Sequence, residues 1–135
     1  MRAKFAMFAS VVAGMILGTG SATAHHSFAA EFDPGKALTL TGTVTKIEWQ
    51  NPHTYFYLDV TGSDGKVVNW GMEMGSPNGL MRQGWTRNTL KVGDAVTVEG
   101  SQAKDGANVG NARVVVLDAT GQRLFAASSQ TQAPQ

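Results

Sequence analysis

Cysteine is missing from the whole 135-residue chain. Its absence excludes disulfide staples, thiol nucleophiles, thiolate metal sites and cysteine-attached haem. Any metal would have to be held by nitrogen, oxygen or methionine sulfur. Charge is scarce as well. Asp, Glu, Lys and Arg make up 16% of residues, and 11 basic against 10 acidic side chains leave a net of +1. Nucleic-acid readers carry a clustered basic footprint, which this balance denies. Long apolar runs are also missing, apart from one near the start. That run, Phe5 to Leu17, is interrupted by Ser10 and Gly14 and is shorter than the roughly 20 residues a bilayer span needs. The final ten residues, 126–135, are Ala, Ser, Gln, Thr and Pro with no apolar pattern, so a disordered tail is expected there.

What is present at the start is an export signal. Arg2 and Lys4 precede the apolar run, Gly18 to Ser21 break it, and Ala22-Thr23-Ala24 supplies small residues where a signal peptidase reads. Residues 1–24 are therefore expected to be a signal peptide, with cleavage after Ala24 and a periplasmic or secreted mature chain starting at His25. No membrane span remains after that cut. Removing Arg2 and Lys4 leaves 9 basic against 10 acidic residues, a net of −1. The mature length fits one domain.

Residues 25–37 read as an irregular arm ending in the turn signal Asp33-Pro34-Gly35. Leu38, Leu40, Gly42 and Val44 then alternate with four threonines, the period of a half-buried strand. The parity slips at Ile47 and Trp49, which predicts a bulge. His53 to Val60 forms a second strand, with Phe56 and Leu58 on one face and His53, Tyr55 and Tyr57 on the other. Gly62 to Gly65 is a hairpin loop, and Lys66 to Met74 a third strand. Ser76 as cap and Pro77 as first helical residue predict a short helix through Arg82 or Gln83. Lys91 to Asp94 turns into a fourth strand, Ala95 to Ala103, and Ala112 to Leu117 is a fifth. Gln122 to Phe125 is a last short segment. Three strands, a helix and two strands predict an all-β domain over residues 38–125, an OB-fold-like five-stranded barrel with one short helix between the third and fourth strands. A β-sandwich of the same strands is the alternative.

Several motifs in fixed order resemble a known family. They are His25-His26-Ser27-Phe28, Glu48-Trp49-Gln50-Asn51-Pro52-His53, the run from Trp70 to Leu80, Gly84-Trp85-Thr86 and Lys91-Val92-Gly93-Asp94. Together they are similar to small exported bacterial proteins grouped as a domain of unknown function, DUF6152. The resemblance spans nearly all of the mature chain. It implies a periplasmic, compact β domain and brings no activity, cofactor or site residue with it.

The three histidines carry the sharpest chemistry. A free N-terminal His25 offers its α-amine and ring nitrogen to one metal, and a second imidazole completes three nitrogens in a T, a set that suits Cu(II). His53 and His26 are the candidates for the second ring. His53 is preferred, because adjacent side chains in an extended arm diverge while a strand-borne histidine after Asn51-Pro52 is rigidly placed. Tyr55 and Tyr57 share its face, and Met72 and Met74 offer thioethers, which suit Cu(I). Each has a plainer reading: a polar start that the peptidase tolerates, a turn histidine, and methionine filling core gaps.

Trp49, Trp70, Trp85, Tyr55 and Tyr57 can also line a groove for a glycan, a small ligand or another envelope protein. Glu48 with Glu73, or Asp59 with Glu73, lack the spacing of a general acid and base, and no serine sits in G-x-S-x-G. The sequence therefore favours a binding or accessory protein over an enzyme, with copper binding first and a non-metal interaction module second.

Overall fold

The computed structural model describes residues 28–127. The expected signal peptide and both N-terminal histidines lie outside them, as does the tail from Ser128 on. Among the described residues the chain runs α1 (Phe28–Glu31), β1 (Phe32–Glu48), β2 (Tyr55–Thr61), β3 (Val67–Glu73), α2 (Pro77–Arg82), β4 (Ala95–Ala103), β5 (Val109–Leu117) and β6 (Gln122–Phe125). It is mostly β. The strand order is β3-β2-β1-β4-β5-β6 with antiparallel neighbours, and β3 also pairs with β5 in parallel over Gly71 to Glu73. No helix of the described residues is long and apolar enough to cross a membrane.

Six strands stand where five were expected. The sixth forms because the turn after β5 closes tightly: Gly121 adopts a φ of 72° and its amide reaches the Leu117 carbonyl at 2.8 Å. Gln122–Phe125 then pairs back along Val114 to Leu117. The start of β1 also differs from expectation. The strand begins at Phe32, and Asp33-Pro34-Gly35, expected to precede it, is a bulge inside it where the pairing with β4 skips from Phe32 to Ala37. Asp33 accepts the Gly35 amide at 2.8 Å, and Pro34 has no N–H to offer a ladder. The second bulge, between Val44 and Lys46 in the pairing with β2, accounts for the slipped parity near Ile47. These two irregularities let one 17-residue strand serve β4 with its first half and β2 with its second.

The alternating apolar positions meet inside. Val44, Phe56, Leu58, Val96, Val98 and Val114 are all buried, as their strand parity requires; Trp70 is half-buried at the margin of the core. Burying each such side chain contributes about 1.5–3 kcal/mol. Helix α2 starts where the sequence puts it. Ser76 caps it by accepting the Gly79 amide at 3.1 Å, Pro77 opens it, and Leu80 plugs the core. Ala126 and Ala127, grouped by composition with the tail, are buried instead. The Gly75 amide donates to the Ala126 carbonyl at 2.9 Å, which holds that end of the chain against the body.

Candidate functional site

The hairpin register of β2 and β3 decides the site. Thr61 pairs with Val67, and counting outward from that pair sets Tyr55 directly opposite Glu73. Directly opposed residues on antiparallel strands share a face. The ladder continues past the strand ends, with the Thr54 amide on the Gly75 carbonyl at 3.0 Å and the Met74 amide on the Thr54 carbonyl at 2.8 Å. His53, one residue before Thr54, therefore comes beside Glu73 as well.

Three side chains meet there. The Tyr55 hydroxyl donates to Glu73 Oε2 at 2.7 Å, and His53 Nδ1 lies 3.0 Å from Glu73 Oε1. The Glu73 side chain is only 8% exposed, the His53 ring 26%. Burial pushes the Glu73 carboxyl above the ordinary range. The Tyr55 hydrogen bond and the nearby imidazole pull the other way, and Glu31 adds a like charge. Tyr55 is pushed well above an ordinary phenol, first by burial and then by its bond to Glu73, so it stays a donor. A buried carboxylate is costly unless such partners satisfy it.

Beside this trio opens a cavity of about 450 Å³. Glu31 and Phe32 line it, as do Tyr55 and Glu73, together with Ala103 at the end of β4 and Lys104, Asp105 and Ala107 of the β4–β5 loop. The Lys104 amide donates to the Glu31 carbonyl at 2.9 Å, which ties that loop to α1. One tier further along β2, Tyr57 donates to Glu48 Oε2 at 3.1 Å. Lys46 pairs with the same carboxylate and sits 5.3 Å from the centre of the Tyr57 ring.

The chain's family membership bears on this geometry. Residues 13–112 match the family described as Family of unknown function (DUF6152). The chain belongs to this family. No curated protein matches the sequence. The match covers the His53 turn, both strands of the trio, α2 and the start of β5, so the site lies within the family's shared region.

Of the residues singled out by sequence, the structure brings His53 and Tyr55 together. His25 and His26 lie outside the described residues. Tyr57 belongs to the separate Glu48 tier, and Trp49 packs half-buried against the core. Trp85, expected on a binding face, is a core residue at 2% exposure. It turns inward because its indole Nε1 donates to the Phe125 carbonyl at 2.7 Å. Met72 and Met74 are buried among apolar side chains, the plainer of their two readings. Glu73 does not pair with Glu48 or Asp59, since Asp59 instead accepts from Asn69 at 2.8 Å. Among the described residues no group of three or more His, Cys, Asp or Glu side chains is arranged to hold a metal. Glu73 was underweighted by sequence, although the signal was there: a lone acid between two core methionines, placed across from Tyr55 once the Gly62–Gly65 loop is counted through.

Proposed function

We propose that this protein is an exported binding or accessory protein of the bacterial envelope, built as an OB-type barrel, which binds Cu(II) through an N-terminal histidine and His53. The pairing circuit from β1 through β2, β3, β5 and β4 back to β1 supports the barrel. The Arg2 and Lys4 start with the Ala22-Thr23-Ala24 end supports export.

The observation that carries the metal reading is the state of His53. Its Nδ1 is taken by a buried carboxylate, which leaves Nε2 for a metal, the arrangement found behind ligating histidines generally. The approach also favours it. Helix α1 begins at Phe28 and lines the same cavity as Glu73. Three residues can span at most about 10 Å, so the proposal requires His25 to Ser27 to turn back toward His53. His25 then supplies its amine and one ring nitrogen, and His53 the third nitrogen. The rival reading, an exposed aromatic recognition face, has less support, because Trp85 is core and both tyrosine hydroxyls hold carboxylates.

Titration of the processed domain with Cu(II) tests this. Replacing His53 by Ala, or adding one residue ahead of His25, should each weaken binding by more than the 10–100-fold that loss of an outer-shell partner costs. His26→Ala should matter less. Binding should also weaken as pH falls through the imidazole range, since protons compete for the same lone pairs. An affinity indifferent to both the His53 substitution and the added residue overturns the copper reading and favours the interaction module.

A further inference from the structure

We propose that Glu73 is a positioning residue: its carboxylate holds the neutral His53 ring in the tautomer protonated at Nδ1, so that the lone pair at Nε2 is the one offered to a ligand, and Tyr55 holds Glu73 to that task. The assignment deepens the metal reading and rests on it for the ligand, but not for the tautomer.

The geometry is directional. A neutral imidazole has one N–H donor and one lone pair, and the partner of one nitrogen decides what the other presents. Glu73 offers two oxygens, and each meets a different side chain: Nδ1 of His53 at 3.0 Å and the Tyr55 hydroxyl at 2.7 Å. An ionised carboxylate is acceptor-only, so while Glu73 is ionised its contact with Nδ1 requires the hydrogen to lie on that nitrogen. The short bond from Tyr55 lies in the range of a charge-assisted O–H···O⁻ contact. The donor and acceptor positions do not depend on flexible backbone. The ladder bonds between Thr54 and both Met74 and Gly75 fix the segments carrying His53 and Glu73, and Tyr55 stands across from Glu73 in register. The carboxylate is nearly buried and the imidazole partly exposed, so water has little access to the shared bond while the ring keeps an open side.

A merely structural Glu73 would stabilise the sheet end without caring which ring nitrogen carries the hydrogen. Two-bond proton–nitrogen correlation spectra of the ¹⁵N-labelled, metal-free domain separate the two roles. They are recorded at about pH 9, well above the reference range for imidazole. The wild-type spectrum should show His53 protonated at Nδ1. Glu73→Gln should turn it into a mixture of tautomers, and Tyr55→Phe should do so partially while leaving the carboxylate in place. The amide fingerprint reports folding of each variant, and Tyr55→Phe serves if Glu73→Gln does not fold. Copper affinity should fall 10–100-fold in Glu73→Gln and less in Tyr55→Phe. A wild-type His53 protonated at Nε2, or a tautomer unchanged in both variants, overturns the assignment. An absence of copper binding in the wild type would instead sink the metal reading and leave the tautomer result standing.

Discussion

At the scale of single residues, the charged side chains divide sharply between a buried, satisfied acid and solvated pairs. Glu99 illustrates the second kind. Arg123 grips it with both nitrogens, at 3.0 and 2.9 Å, and Arg113 approaches the same carboxylate at 3.5 Å. The Arg123 hydrogen bonds, and behind them the charges of both arginines, hold the Glu99 carboxyl below its ordinary value of 4.5. The sign follows from linkage: with the folded value depressed, the pair stabilises the fold above the ordinary carboxylate range, and the contribution disappears as pH falls through the depressed value. A carboxyl-resolved NMR titration should therefore find the Glu99 midpoint under 4.5, and Arg123→Ala should move it back up. A midpoint that ignores the substitution would assign the depression to something else. Glu73 shows why residue-scale reading of the sequence goes only so far. Its type and the types of Tyr55 and His53 are visible in the sequence, but that they share one carboxylate depends on strand register, which single residues do not carry.

At the scale of elements, the sequence was most legible where turn chemistry is explicit. Strand β4 runs over the span expected for it, Ala95–Ala103, because the Lys91–Asp94 turn defines its start. Asp94 accepts the Lys91 amide at 2.9 Å, and Gly93 takes a φ of 94°. Helix α2 was equally plain from Ser76 and Pro77. The least legible element was the start of β1, where Asp33-Pro34-Gly35 has the composition of a chain reversal but is absorbed as a bulge, since β4 continues alongside and supplies partners on either side of it. Gly100 is the element-scale counterpart of a core residue. It sits where β4 slips register against β5, and a Cβ there would run into the Asn111 carbonyl. Gly100→Ala should therefore destabilise the protein toward the upper end of the about 1–3 kcal/mol typical of overpacking, as read by urea unfolding. A loss below about 0.5 kcal/mol would mean that the two strands part more easily than their crossing suggests.

At the scale of the molecule, one tryptophan joins distant parts of the chain. Trp85 follows α2, donates its own amide N–H to the Leu80 carbonyl at 3.0 Å, and sends its indole N–H to the Phe125 carbonyl at the end of β6. Trp85→Phe should cost about 1–3 kcal/mol, the penalty for removing one partner of a part-buried hydrogen bond, and Trp85→Ala about 3–5 kcal/mol. Circular dichroism during chemical denaturation measures both, and near-equal stability of all three proteins would refute the anchor. This long-range tie was not legible in the sequence. An aromatic in a connector reads as well for an exposed face as for a core, and only the closing of β6 over it decides between them. The central strand has a consequence of another sort, in time rather than in energy. Phe32 finds its partner in Ala103, and Thr43 in Ala95, so β1 cannot complete its ladder until most of the chain has been synthesised. Topologies dominated by such distant pairings fold in milliseconds to seconds rather than microseconds. Under the export proposed above, that delay serves the chain, because it remains threadable for as long as its first strand waits for its fourth.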